Sequence, residues 1–191
     1  ELKKRMLRNR VKLQKLPVSL QRGTHSQKPI ERGSSLLDSK TIVLNAMRAQ
    51  GATDAAALAK KSVTEEIDGT GLIAAEHQIP TWRQRDFTDV PIGTPYRYKD
   101  QVYKLWQQHN ATQQGDWTPD KAVSLWDICH TTDPKTAKEY VAPQGTRGMY
   151  QTGECCLFEG KTYRCTAANT VHNPKELPAS WEEVTAEEME V

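Results

Sequence analysis

An internal repeat in the second half of the chain constrains the fold more than any other feature. Two stretches of roughly 45 residues each agree at six positions in type and order. The aligned pairs are Gly93 with Gly153, Tyr98 with Phe158, Tyr103 with Tyr163, Pro119 with Pro174, Trp126 with Trp181, and Ile128 with Val184. Because only 37% of the residues are hydrophobic, two small modules are favoured over one large core.

Each copy of the repeat has the pattern of a strand, a tight turn, a second strand, a loop and a short closing strand. The turns are predicted at Lys99-Asp100 and at Glu159-Gly160, where the glycine suits a positive φ. We therefore expect a first small β module over residues 79–130 and a second over 138–185, followed by an acidic tail at 186–191. In modules of this size, a few aromatic rings must provide most of the core.

Charge is distributed unevenly along the chain. Residues 1–33 contain ten Lys or Arg and two Glu, a balance of +8, whereas the remainder has a balance of −6. A polar arm without a core of its own becomes ordered by docking on a partner, so we expect 1–33 to be a basic anchoring arm. Within it, a helix over residues 2–16 is predicted to end at Pro17. Its anchor positions are the apolar Leu2, Met6, Leu13 and Leu16 and the basic Arg5, Arg8, Arg10 and Lys12.

Two further helices are predicted after the arm. Ser34 or Ser35 can cap the first of them, and Gly51 is expected to end it. Thr53 can then cap a second, alanine-rich helix. Because the stretch Ala55–Ala59 has small side chains and a narrow apolar face, we expect this helix to pack against copies of itself.

The repeated motif resembles the chitin-binding-type carbohydrate-binding modules of families five and twelve. It shares with them a glycine, an aromatic residue before the turn, a tyrosine after it, a proline, and a tryptophan followed by a hydrophobic residue. The stretch from Tyr103 to Ile128 is also similar to modules of bacteriophage structural proteins, which accompany tail fibres, baseplates or head fibres. The resemblance covers residues 62–185, and it implies a virion component. Fibre-type phage proteins are commonly trimers.

The resemblance assigns the ring that closes each module to the core. Trp126 and Trp181 occupy this position, and Tyr103 and Tyr163 are expected to pack as well. Trp106 should face the opposite side of its strand from the sugar-binding positions of the family, so it too is expected in the core.

Family members that bind chitin carry an adjacent aromatic pair shortly after the motif tyrosine. In this chain the pair is replaced by Gln107-Gln108 and by Ala167-Ala168, so the aromatic platform is missing from both copies. Trp117, in the longer loop of the first copy, and Trp82 have no evident repeat partner, and either could stack on a sugar. A loop tryptophan more often pins its loop onto the sheet. The candidate glycan-binding residues are Trp82, Trp117, Gln107 and His109.

No catalytic, metal or cofactor site is predicted from the sequence. It contains no glycine-rich phosphate loop, no serine elbow and no HExxH motif. His109 and His172 lie in corresponding loops, each without a suitably spaced second ligand. The four cysteines are too few for a disulfide scaffold and are expected to be reduced, structural thiols. The sequence has no apolar run of about 18 residues, so no membrane span is predicted.

These features predict an α+β fold, in which an N-terminal extended arm and a region of short helices over 34–78 precede two small β modules of the chitin-binding-module type. The favoured function is a bacteriophage virion component that folds in the host cytoplasm and binds other virion proteins through residues 1–33. It would self-associate as a trimer and could display its modules to a bacterial surface glycan.

Two alternative functions stay open at this point. The first is a glycan-binding accessory module of a cell-wall-active protein. The second is nucleic-acid binding through the basic arm, which is less favoured because residues 1–33 contain no aromatic side chain for base stacking.

Overall fold

A computed structural model of the protein describes residues 34–190. These residues combine helices with two small β-sheets, which confirms the predicted α+β class. From Thr41 onward they belong to one compact unit. The predicted anchoring arm lies outside the described residues, together with its helix over 2–16 and all eight of its anchor positions.

The first helix, α1, runs from Ser34 to Val63 without interruption. The expectation that Gly51 ends one helix and Thr53 begins another is therefore wrong. A glycine inside a helix costs about 1 kcal/mol relative to alanine but causes no steric conflict, and good helix formers flank it on both sides. Thr53 does not act as a cap, because its hydroxyl donates to the carbonyl of Ala49, one turn earlier, at 3.0 Å.

The C-terminal end of α1 packs on the first β module. Leu58 and Ser62 are buried, and the Ser62 hydroxyl donates to the carbonyl of Gly93 at 2.6 Å. Leu58 joins an apolar cluster whose other buried members are Leu72, Ile73, Ile79, Val102 and Cys129. The alanine-rich stretch Ala55–Ala59 therefore uses part of its surface within its own chain, and its packing against other copies stays a prediction.

A second helix, α2, spans Gly69–Ala74 and is too short for hydrophobic periodicity to predict. Asp68 caps it by accepting a hydrogen bond from the amide of Gly71 at 2.9 Å. A side chain at Gly69 would lie 2.2 Å from the carbonyl oxygen of His130. Glycine at this position therefore allows α2 to lie against the segment that links the two β modules.

The first β module is an antiparallel meander. Its central strand places Tyr103 opposite Tyr96 on one side and opposite Ile128 on the other. The three strands are β1 (Pro95–Tyr98), β2 (Gln101–Leu105) and β3 (Trp126–Ile128).

The second β module repeats this meander and adds a short parallel strand at one edge. Tyr163 in its central strand lies opposite Cys156 and Glu183, as Tyr103 lies between its two neighbours in the first module. The four strands are β4 (Lys138–Glu139), β5 (Cys155–Phe158), β6 (Lys161–Cys165) and β7 (Trp181–Glu183).

The predicted alignment of Gly93 with Gly153 is confirmed by backbone geometry. The two glycines have φ values of 89° and 90°, a region that residues with a Cβ rarely adopt. The amide of Gly93 donates to the carbonyl of Leu105 at 2.7 Å, and the amide of Gly153 donates to the carbonyl of Cys165 at 2.7 Å. The hairpin of each module is therefore preceded by the same glycine turn, which is closed by a hydrogen bond to the end of the second hairpin strand.

The predicted hairpin turns are also present in both modules. Lys99 and Glu159 occupy equivalent positions with φ values of 52° and 50°. Gly160, which follows Glu159, has a φ of 79°, as its predicted place in the turn requires.

A short leading segment runs parallel to the first hairpin strand in both modules, and the sequence did not predict it. The amide of Trp82 donates to the carbonyl of Arg97 in β1 at 2.7 Å, and the amide of Tyr140 donates to the carbonyl of Leu157 in β5 at 2.8 Å. Tyr140 is therefore the repeat partner of Trp82, which corrects the expectation that Trp82 has none.

The core of the first module is a cluster of aromatic rings around Trp126. As predicted, this residue is buried, with 1% of its surface exposed. Its ring meets Phe87 and Tyr96 edge-on at centroid distances of 5.1 and 5.7 Å, and Trp82 at 6.5 Å. Such edge-to-face contacts add to the free energy gained by burying the rings.

The core of the second module has a matching cluster around Trp181. This residue is 8% exposed, as predicted for a closing ring. Its ring contacts Tyr140 at 6.2 Å and Tyr150 at 5.2 Å. Its indole N–H donates to the carbonyl of His172 at 3.0 Å, which fixes the loop before the closing strand.

The acidic C-terminal segment, which the sequence predicts to be a tail, is partly helical and contacts the second module. A short helix, α3, spans Ala186–Glu190. The Glu188 carboxylate accepts hydrogen bonds from the Thr185 amide at 3.0 Å and from Arg164 of β6 at 2.9 Å. These bonds lower the pKa of Glu188 and attach the segment to the second sheet.

We expect Trp126→Ala to reduce the free energy of unfolding by about 3–5 kcal/mol, because it leaves a cavity where the rings of the first module meet. Trp117→Ala is the matched control, since 36% of that residue is exposed; its loss should be about 1 kcal/mol or less. Urea unfolding followed by circular dichroism measures both values. Equal losses for the two variants would contradict the assignment of Trp126 as the central core ring.

Candidate functional site

Two of the four predicted glycan-binding residues are core residues. Trp82 is partly buried, and its ring stacks on Phe87 at 6.4 Å and meets Tyr98 edge-on at 5.2 Å. His109 is buried. Both rings therefore contribute to the first core, and a glycan-binding role for Trp82, which is only partly buried, and for His109 stays a prediction.

His109 has a structural role in the aromatic cluster. Its ring lies 5.1 Å from Phe87 and 5.4 Å from Trp126, and its Nδ1 lies 2.8 Å from the carbonyl oxygen of Gln107. The carbonyl of His109 accepts a hydrogen bond from the amide of Phe87 at 2.8 Å. In the second module the carbonyl of Thr170 accepts a hydrogen bond from the amide of Tyr150 in the same way. The loop histidine therefore closes the first core.

The other two predicted glycan-binding residues lie at the surface. Trp117 is 36% exposed, and one edge of its ring rests on His109 at 5.8 Å. Gln107 is exposed, and the neighbouring Gln108 donates to the carbonyl of Val90 at 2.8 Å. Trp117 thus both contacts the core and keeps accessible ring surface, and a sugar-binding role for Trp117 and Gln107 stays a prediction.

Trp106 was expected in the core, but 46% of it is exposed. It follows the end of β2 and lies on the same face of the sheet as Lys104, two residues earlier. The opposite face carries the aromatic core. The guanidinium of Arg147 lies over the Trp106 ring at 3.3 Å from its centroid, a cation–π contact.

A polar cleft of about 290 Å³ lies beside this contact, and no sequence pattern indicates it. It is built from both β modules, the segment that links them, and the start of α2. Residues far apart in the sequence contribute to it, so no local motif could have predicted the cleft. Its charged and polar lining residues are Lys104, Asp127, His130, Arg147, Gln151 and Glu154.

His130 and Glu154 form a linked pair within this cleft. The His130 Nδ1 lies 3.0 Å from a Glu154 carboxylate oxygen, which also accepts the amide of Gln151 at 2.7 Å. The His130 ring stacks on Tyr150 at 3.8 Å and its side chain is only 6% exposed. Its Nε2 is buried and lacks a hydrogen-bond partner within residues 34–190.

The cysteines are structural thiols in this arrangement. All four are buried and free. Burial raises the pKa of Cys129 and of Cys156 to about 12, so these thiols stay protonated at neutral pH and are poor nucleophiles. The described part of the chain contains no group of three or more His, Cys, Asp or Glu placed to bind a metal ion.

Comparisons with known proteins add no assignment to these observations. No protein-family model matches the chain, and a search of the curated proteins finds no significant match. Between residues 34 and 190, no helix has the length and apolar character needed to cross a membrane. The resemblance to chitin-binding-type modules therefore rests on the repeated motif itself.

We expect soluble chitin oligomers to bind weakly or not at all, because Gln107-Gln108 and Ala167-Ala168 replace the aromatic pair of the family. Isothermal titration calorimetry with chitohexaose measures this directly. A saturable titration that Trp117→Ala abolishes would contradict the expectation and would show that the loop ring supplies a platform.

Proposed function

We propose that the protein is a structural component of a bacteriophage virion, of the fibre, baseplate or head-decoration type. It folds in the host cytoplasm and is attached to other virion proteins by its N-terminal region. It displays two carbohydrate-binding-module-like β modules that serve host-surface attachment. Its role is assembly and binding, not catalysis.

The observation that carries this proposal is the duplicated module. Both copies share the glycine turn, the parallel leading segment and a closing tryptophan in an aromatic cluster. The sequence signature of this unit is what resembles modules of phage structural proteins. A repeated binding-type module that follows a long helix suits a protein that projects from a larger assembly.

Helix α1 supports the self-association that the proposal requires. Ile42 and Met47 are each 67% exposed, and Val43 is 56% exposed. With Ala46 they occupy positions i, i+1, i+4 and i+5, which lie along one side of a helix. Apolar side chains exposed together in this way favour association with an apolar partner surface. A bundle of three α1 helices would bury the stripe.

A second candidate function is a glycan-binding accessory module of a cell-wall-active protein. The exposed rings of Trp106 and Trp117 favour it, since sugar-binding surfaces commonly present aromatic faces to solvent. It is less well supported than the virion role because neither ring occupies the platform position of the family.

We expect Val43→Glu together with Met47→Glu to dissociate a trimer of the full chain into monomers, because the new carboxylates would face one another in the helix bundle. Sedimentation velocity measures the oligomeric state. Ala52→Glu is the matched control, because this residue is exposed on the side of α1 that faces away from the stripe. A trimer that survives the double substitution would place self-association elsewhere, and a monomeric starting protein would contradict the expectation outright.

Deleting residues 1–33 should leave folded modules that no longer enter virus particles. The measurement is the occupancy of the truncated protein in purified particles of the phage or prophage whose genome encodes the chain.

Two full-length variants distinguish electrostatic from apolar docking of the arm. Replacing the four basic anchor residues with glutamine tests electrostatic docking, which high salt should also weaken; these residues are Arg5, Arg8, Arg10 and Lys12. Leu2, Met6, Leu13 and Leu16→Ser tests apolar docking. Normal occupancy of the truncated protein would show that the anchor lies elsewhere.

A further inference from the structure

The polar cleft between the two β modules has the composition of a binding site. Its floor is the face of the first sheet that carries Lys104 of β2 and Asp127 of β3, which lie opposite each other in register. Its walls are the segment around Arg147 and the start of the second module. A concave site between packed modules, with few but convergent polar groups, is a common location for ligands.

The charged groups on the floor have free bonding capacity. The Lys104 ammonium and the Asp127 carboxylate form no hydrogen bond or ion pair with other residues in the described portion of the chain. They do not pair with each other either, although their strands are adjacent. A ligand can therefore bind both groups without first breaking contacts inside the protein.

Arg147 supplies a second cation at the rim of the cleft. Its guanidinium is stacked on the Trp106 ring at 3.3 Å, and the same residue lines the cleft. A guanidinium that stacks through its face keeps its N–H groups in the plane available for an anion. The exposed Trp106 thus acts as a positioning residue for Arg147.

His130 holds Glu154 in place at the edge of the cleft. Because a carboxylate only accepts hydrogen bonds, the contact with Glu154 requires that Nδ1 carry a proton. In the neutral ring Nε2 is then an acceptor, and it is buried without a partner among residues 34–190. An acceptor left unsatisfied in this way is costly, but its burial keeps this atom out of direct contact with a ligand in the cleft.

We propose that this cleft binds a saccharide that carries an acidic group. Lys104 and Arg147 bind the carboxylate or phosphate of the sugar, while Asp127 accepts hydrogen bonds from its hydroxyls. A simple anion does not fit this set, because Asp127 would repel it, and a neutral sugar leaves the two cations unused. The inference deepens the proposed function, on which it rests for the origin of the sugar at the host surface.

Calorimetric titration of the full chain tests the proposal with three saccharides and two simple anions. Trigalacturonate is the carboxylate probe, mannose 6-phosphate is the phosphate probe, and maltotriose is the neutral probe; acetate and inorganic phosphate complete the set. We expect saturable binding of at least one acidic saccharide, at least tenfold tighter than maltotriose and either simple anion. Which acidic probe binds identifies the acidic group.

Lys104→Gln and Arg147→Gln should each weaken that binding by roughly 10- to 100-fold, the value of a hydrogen bond to a charged group. Asp127→Asn should also weaken it. Lys175→Gln is the matched control, since this exposed lysine lies outside the cleft. Thermal melting of each variant establishes that it is folded.

Trp106→Ala tests the positioning of Arg147. It should weaken binding about as much as Arg147→Gln, and the double variant should be no weaker than either single variant, because both remove the same contact. Additive losses would contradict the positioning role.

The proposal is overturned if neither acidic saccharide binds, if maltotriose or a simple anion binds as tightly, or if the cleft variants bind like the wild type. These outcomes would not contradict the virion role, because incorporation into particles does not depend on ligand binding in the cleft. Lys104→Gln should therefore enter particles at normal occupancy. Conversely, a chain that binds acidic saccharides but never enters particles would remove the virion role and leave the cleft assignment standing.

Discussion

The packing of a few aromatic rings around one closing tryptophan is the interaction on which each β module depends. Neither sheet is large enough to bury an extended apolar layer, so Trp126 and Trp181 connect the closing strand, the hairpin and the loops at one place. Edge-to-face geometry recurs in both clusters. Loops that would otherwise be solvated are thereby fixed, and the surfaces that they form, including the cleft, become defined.

The strands of the two modules contribute different side chains to their aromatic clusters. Tyr96 and Leu105 of the first module occupy the strand positions that Cys156 and Cys165 occupy in the second. Cysteine is a small apolar side chain in such a setting, so the second sheet fills less volume from its strands. In both modules a stacked pair of rings from the leading segment and the loop completes the cluster, Trp82 with Phe87 in the first and Tyr140 with Tyr150 in the second. The thiols of Cys156 and Cys165 are buried because they are part of this core.

The sequence predicted the parts of the fold that single residues determine. The paired glycines, the hairpin turns and the buried closing tryptophans carry local signals that survive any tertiary context. The parallel leading segments were missed because two residues contain no periodicity, and the helix break at Gly51 failed because a glycine weakens a helix without ending it. Of the predicted glycan residues, tertiary packing draws Trp82 and His109 into the core. The cleft was unpredictable, since only the docking of both modules brings Lys104 near Glu154.

The hydrogen bond from the Ser62 hydroxyl to the carbonyl of Gly93 has a mechanical consequence. Helix α1 does not end in a flexible hinge, because its last turn is tied to the loop that starts the first hairpin, and a Cβ on Gly93 would lie 3.2 Å from the backbone of Val63. A pull or twist applied along the helix would be transmitted directly into the first module. The first module would therefore rotate together with the C-terminal end of α1. The orientation of that end of the helix sets the direction in which the first module faces.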